Sequence, residues 1–264
     1  MARHNTPLFR SLAIQRRVVG ALLMREIITR YGRHNFGFLW IFFEPMMFTL
    51  GVMSLWSILK VTHGASVSIA AFAITGYSSV LMWRNCTARC ALAIQPNQAL
   101  LYHRNVRVLD LFLARLLLEI AGATMSFAFL TILFVILGVM NPPQDISMVL
   151  FGWIHLAVFG IGLGLIIGGL TERSETVERV WHTIAYLLFP LSGAVFMVDW
   201  LPEKYQKVVL LLPMVNGTEM LRGGYFGALV KPHYNVAYMI VADMILIFAG
   251  LSIVRDTSMR VEPE

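Results

Sequence analysis

The chain has 264 residues, of which 58% are apolar and only 14% charged, with a mean hydropathy of +0.70. A soluble domain carries about a quarter charged residues and about half apolar ones, so this composition excludes a water-facing surface over most of the chain. The formal charge of +6 does not mark a nucleic-acid binder. Seven of the 21 basic residues fall in the first 34 positions, at Arg3, Arg10, Arg16, Arg17, Arg25, Arg30 and Arg33. Such a juxtamembrane cluster is held on the cytoplasmic side and drawn to anionic headgroups, and no zinc-finger spacing or basic–aromatic platform accompanies it.

The first predicted element is amphipathic. Over residues 16–33, Val19, Leu22, Leu23 and Ile27 share one side of a helix, with Arg17 and Arg25 away from it, the pattern of a helix lying in the membrane interface. Six apolar runs follow, at 36–59, 69–92, 109–139, 148–170, 180–198 and 236–253, each long enough to cross a hydrocarbon core that takes about 20 helical residues. Six is even, so both termini share a side, which the arginine-rich N-terminus places in the cytoplasm. The loops carrying Arg104 and Arg107, and Arg173 and Arg179, agree, as does the tail with Arg255 and Arg260. The loop after the fifth run breaks the pattern with Lys204, Lys207, Arg222 and Lys231, for which the sequence offers no physical account.

That loop, residues 201–232, holds a short apolar run at 208–212 that Pro213 and Gly217 are expected to break, followed by Gly223 and Gly224. Short apolar pieces joined in this way suggest a re-entrant hairpin in the outer leaflet, where irregular backbone survives only against protein or water. A loop lying on the surface is the alternative.

A charge at the bilayer centre costs about 2.5–3.5 kcal/mol on insertion scales. Glu44 lies in the first run beside Pro45, Arg84 and Arg89 in the second, Arg115 and Glu119 in the third and Asp243 in the sixth. Arg115 and Glu119, four apart, are expected to pair on one helix face. Arg84 and Arg89 either snorkel or line a watery path for anionic cargo. No chain of acidic or histidine residues joins Asp243 to Glu44 as a proton relay. The fourth run carries Gly160, Gly164 and Gly168 at GxxxG spacing, a face for close approach of another helix. Cys86 and Cys90, one turn apart without further ligands nearby, read as packing residues rather than a metal site. Trp40, Tyr77, Trp83, Trp153, Trp181, Tyr186 and Trp200 are candidates for stacking on sugar rings, though Trp and Tyr also gather at membrane interfaces.

The chain holds no P-loop, no HExxH and no nucleophile–base signature, so any energised work needs a partner that hydrolyses ATP. A membrane-embedded glycosyl- or acyltransferase would need an acid–base or metal cluster, and no carboxylate cluster joins His155 or His182. A scaffold without transport would gain nothing from its costly intramembrane charges.

Two stretches carry a family resemblance. REIITRYGR at 25–33 leads into GFLW at 37–40 and then Glu44–Pro45, and LPMVNGTEMLRGGYFG occupies 212–227. Together they resemble the permease subunits of type-two ABC exporters, above all those that export capsular polysaccharide across the bacterial inner membrane. The resemblance implies an all-α membrane fold: a cytoplasmic N-terminus with an amphipathic gate helix at 1–35, a six-helix transmembrane domain at 36–254 and a cytoplasmic tail at 255–264. Within the domain it implies a coupling loop at 95–107 and a periplasmic re-entrant hairpin at 201–232. It implies a homodimer, docked ATPase subunits that bind ATP and Mg, a periplasmic co-polymerase or adaptor, and a lipid-linked polysaccharide as cargo. By the same resemblance Arg25, Glu26, Arg30 and Tyr31 belong to the gate helix. Gln98, His103, Arg104 and Asn105 couple to the ATPase. Trp40, Glu44, Arg84, Arg89 and Trp181 touch the path or cargo, and Glu219 and Arg222 serve the hairpin. Many relatives have a His before that Glu, whereas this chain has Thr218, which leaves Glu219 as the hairpin's candidate. Export of another glycan, such as O-antigen or teichoic acid, or of a drug remains the alternative cargo.

Overall fold

A computed structural model describes residues 8–32, 39–58, 67–91, 93–101 and 106–261. Among the described residues there are ten α-helices and no strand. They are α1 (Leu8–Tyr31), α2 (Trp40–Ile58), α3 (Ile69–Cys90), α4 (Gln98–Leu101), α5 (Val108–Ile136), α6 (Ile146–Thr171), α7 (Glu175–Leu191), α8 (Glu203–Val209), α9 (Pro213–Phe226) and α10 (Val236–Val261). By length and composition, Val108–Ile136, Ile146–Thr171 and Val236–Arg260 are the helices apolar enough to cross a membrane among those described. Their outer faces expose Ile132, Ile136, Phe151, Ile245 and Phe248. Apolar surface on this scale is tolerated in lipid and not in water, so the chain is an all-helical integral membrane protein.

The centre of the bundle is α6, with α3, α9 and α10 packed on it. Glycines make this possible. A Cβ on Gly160 would lie 3.1 Å from Trp83 Cα, and one on Gly164 would lie 3.2 Å from the Cys86 carbonyl oxygen. The GxxxG face therefore seats α3, with Cys86 and Cys90 fully buried against it. A second face, through Gly162 and Gly169, meets Leu246 and Ile253 of α10. Gly152 brings α6 against the backbone of α9 at Gly217 and Leu221.

Pro45 lies inside α2 and cannot donate to the carbonyl four residues back. That carbonyl, on Ile41, is approached by α5 at Gly122, where a Cβ would lie 2.6 Å from its oxygen. The fifth helix starts earlier than the hydropathy pattern predicts and ends at Leu191 rather than 198. Its first turn contains Glu175 and Glu178, acidic residues that favour a helix N-terminus while interrupting the apolar run. Residues 201–232 correct a second expectation. Pro213 starts α9 rather than breaking it, because proline suits the first helical position, and Gly217, Gly223 and Gly224 lie within the helix. α9 stops at Gly227, whose φ of +52° only glycine adopts readily.

Candidate functional site: an ionic cluster beneath the first helix

Residues from four helices meet under α1. Arg30 pairs with Glu26 at 3.2 Å and more closely with Glu119 of α5. Arg89 of α3 lies between Glu119 (3.5 Å) and Glu44 of α2 (3.4 Å). Arg115 pairs with Glu26 at 3.3 Å and donates to the Arg89 carbonyl at 2.8 Å. The expected pair of Arg115 with Glu119 is thus replaced: each takes its ionic partners from other helices, because α1 lies across α5 and supplies Glu26 and Arg30 to them. Arg25 adds a fourth arginine and donates to Asn97 in the turn after α3. Four arginines face three carboxylates, so the cluster carries a net positive charge.

Two cavities open on it. One of about 320 Å³ is lined by Arg25, Glu26, Arg30, Arg89 and Arg115. The other, of about 530 Å³, is lined by Arg30, Trp40, Glu44 and Met47. Trp40 is 53% exposed there. Planar guanidinium groups in such an array match carboxylate and phosphate oxygens two at a time, and an exposed indole offers a face to a sugar ring. A third cavity, of about 160 Å³ between α3 and α7, is lined by Arg84, Glu178, Trp181 and His182. Arg84 sits over the Tyr186 ring, 4.8 Å from its centroid, an arrangement that stabilises a guanidinium away from bulk water. The structure thus brings Arg25, Glu26, Arg30, Trp40, Glu44 and Arg89 together, with Arg84 and Trp181 in a separate cavity. Trp83 and Trp153 are buried core residues, the latter stacked on Phe127 at 4.5 Å.

The turn after α3 is tied on two sides. Asn97, which takes the bond from Arg25, also donates to the Ala93 carbonyl at 2.8 Å. The Ile94 N–H donates to Glu172 at the end of α6, at 2.9 Å. Burial pushes the Glu172 carboxyl above the ordinary carboxylate range, against the backbone N–H bonds of Ile94 and Gln95 that favour its charged form. Gln98 is exposed on α4. His103, Arg104 and Asn105 lie outside the described residues, as does the Tyr31 side chain.

Glu219 and Arg222 stand far from this cluster and are both buried. Glu219 accepts from the Val198 and His233 N–H groups, each at 3.0 Å. Arg222 donates to the carbonyls of Gly193, Phe196 and Ala194 and lies 3.8 Å from the centroid of Phe72. Its charge is consumed inside the protein, which accounts for one of the basic residues that break the loop pattern. Sequence reasoning missed His155, which meets Asp243 of α10 at 2.7 Å. The available signal was one ionisable residue in each of two apolar helices, at similar distances from their starts.

The sequence profile of ABC-2 type transporters matches residues 17–226. The chain belongs to the ABC-2 type transporter family. The matched stretch includes all of the ionic cluster and extends through α9. Among curated proteins, the chain is 47% identical over 263 residues to the capsule polysaccharide export inner-membrane protein CtrC of Neisseria meningitidis serogroup B, covering 100% of this chain and 99% of CtrC. It is 42% identical over 254 residues to BexB of Haemophilus influenzae, also a capsule polysaccharide export inner-membrane protein, with 96% of each chain covered. The polysialic acid transport protein KpsM of Escherichia coli is 24% identical over 242 residues, covering 92% of this chain and 94% of KpsM.

Proposed function

We infer that this chain is the membrane-spanning permease subunit of an ATP-driven exporter that moves capsular polysaccharide across the inner membrane. The observation that carries this is identity of 42–47% along nearly the whole chain to CtrC and BexB. The subunit has no ATPase site of its own, and hydrolysis belongs to a separate subunit that binds ATP and Mg.

Several finer features belong to the proposal. Six helices span the membrane: α2, α3, α5, α6, α7 and α10. The 17 residues of α7 extend about 25 Å at 1.5 Å each, close to the hydrocarbon thickness. The segment 201–232 is a re-entrant outer hairpin made of α8 and α9, both termini are cytoplasmic, and α1 lies at the cytoplasmic interface as a gate helix. Two copies form the path, and a periplasmic adaptor meets the hairpin. Its buried Glu219 and Arg222 hold it in shape for that contact. The turn at 95–107, with Gln98, His103, Arg104 and Asn105, couples to the ATPase. Trp40, Glu44 and Arg89 receive the cargo from under α1, and Arg84 with Trp181 continue the path. The excess of arginine over carboxylate in the cluster supports an anionic cargo, and the exposed indole of Trp40 supports a sugar.

The test is ATPase activity in nanodiscs, first with this chain alone and then with its ATPase subunit. The proposal requires silence from the chain alone, and hydrolysis by the pair at a rate that changes on adding lipid-linked capsular polysaccharide. A pair whose rate ignores that polymer but responds to another glycan would move the assignment to that glycan. Failure of any ATPase to associate would refute it.

A further inference from the structure

We infer that His155 and Asp243 hold one shared proton, and that this pair pins the start of α9 to α6 and α10, setting the resting position of the hairpin. The hydrogen-bond partners carry the first half. Nε2 of His155 lies 3.0 Å from the Pro213 carbonyl oxygen. A carbonyl oxygen only accepts, so Nε2 bears the N–H. Nδ1 lies 2.7 Å from Oδ2 of Asp243. With Nε2 protonated, a bare Nδ1 would set its lone pair against a carboxylate lone pair at that distance. A second proton therefore sits between them, on Oδ2 donating to the ring or on Nδ1 donating to the carboxylate. The partners assign this placement, and both forms are electrically neutral as a pair. Each residue thereby avoids standing as an isolated charge in an apolar helix.

The second half rests on where the pair sits. The His155 and Asp243 side chains are 5% and 14% exposed, and Oδ1 of Asp243 is buried without a hydrogen-bond partner among the described residues. The ring fits because Gly217 has no side chain; a Cβ there would lie 2.7 Å from His155 Cδ2. Pro213 is the first residue of α9 and follows the three residues that separate it from α8. One imidazole therefore joins three helices at the base of the hairpin. No other charged group competes for it. In α9, Glu219 is bonded to Val198 and His233, and Arg222 to its carbonyls. His155 is the sole charge-bearing side chain within α6, and the charges Arg255, Asp256 and Arg260 of α10 lie at its far end. Tyr225 of α9 donates to the Asn141 carbonyl, and Tyr238 of α10 to the Leu211 carbonyl.

The inference rests on the outward orientation of the hairpin proposed above, and the experiment separates the two. Met214 is 2% exposed beside Pro213, and the native Cys86 and Cys90 are fully buried. The full chain with its ATPase partner carries Met214→Cys, and a membrane-impermeant maleimide is applied to spheroplasts and to inside-out vesicles. Asp243→Asn supplies an N–H where the shared proton lay, so labelling stays at the M214C rate. Asp243→Leu and His155→Leu remove the pin from opposite ends, so labelling accelerates about tenfold or more, the scale of a lost buried hydrogen bond. Either leucine variant suffices if the other fails to accumulate. Unchanged labelling in the leucine variants overturns the pin. Asp243→Asn labelling as fast as Asp243→Leu overturns the shared proton. A rise seen only in inside-out vesicles supports the pin and overturns the orientation.

Discussion

Replacing Arg30 by alanine should free α1 more than replacing its partner Glu119 by glutamine. The Arg30 and Glu119 side chains are 15% and 9% exposed, so the pair is largely desolvated. Breaking a buried pair by removing one partner costs about 3–5 kcal/mol. Arg89, 3.5 Å from Glu119 and 39% exposed, recovers part of that, which leaves roughly 2–3 kcal/mol for R30A. At 1.4 kcal/mol per tenfold this is about a 30- to 150-fold rise in the opening equilibrium of α1. E119Q strands no charge, because Arg30 keeps Glu26 and Arg89 keeps Glu44. It should raise opening by about tenfold or less. Trypsin reports this directly, since cleavage within α1 tracks the open population when opening is fast, and intact-mass analysis resolves cuts at Arg25 from those elsewhere. Adding E119Q to R30A removes the stranded carboxylate and should bring cleavage back toward the E119Q level. Cleavage in the double variant equal to the product of the two single effects would refute the reasoning, since independent sites add.

Arg222→Lys should reduce the folded yield by gel filtration as severely as an alanine, by more than about 3 kcal/mol, because an ammonium cannot match the fan of carbonyls around a planar guanidinium. Gly164→Val should destabilise the bundle by about 1–3 kcal/mol through overpacking against Leu116 and the Cys86 carbonyl, while Gly20→Ala, with nothing within 4 Å, should not; SDS unfolding in mixed micelles measures both. Arg84→Ala and Arg89→Ala should lower export without lowering dimer assembly, as read by capsule immunoblot beside cross-linking. Since burial raises the Glu172 carboxyl above its unfolded value, its contribution to stability is greatest below the unfolded value and falls as pH rises through the folded one. Glu172→Gln should flatten stability over that window.

Helices with unbroken apolar composition were legible in the sequence nearly to their ends: α3, α5 and α6 lie within a few residues of the predicted runs. The periodicity of α1 was readable too, and Val19 and Leu22 are buried as the pattern requires. What hydropathy could not show was how charges pair between helices. Arg115 and Glu119 have ideal spacing for a local pair, yet the carboxylate and guanidinium supplied by α1 win, because a partner held across a packed interface loses less freedom than two long side chains on one exposed face. Gly217 looked like a breaker because glycine weakens isolated helices. In place it is what lets α9 reach the backbone of α6. The His155–Asp243 pair spans 88 residues and left no local trace.

A displacement of the turn at 95–101 has few ways to dissipate. Arg25 fastens that turn to α1 and Glu172 fastens it to α6. From there α6 contacts α3, α9 and α10 through glycines, where backbone meets backbone or short side chains with little to deform. At the opposite end α6 carries His155, bonded to both α10 and the first residue of α9. The order of these fastenings therefore runs from the proposed ATPase-docking turn, along one stiff helix, to the proposed outer hairpin. A second branch runs from the same turn through Arg25 to α1 and the arginine cluster. If the ATPase pulls on the turn, cargo entry under α1 and the position of α9 would respond to the same motion. The physical warrant is the rigidity of α6. A substitution that softens α6, such as a second proline-like break near Gly160, should uncouple hydrolysis from export while leaving both the ATPase contact and the cluster intact.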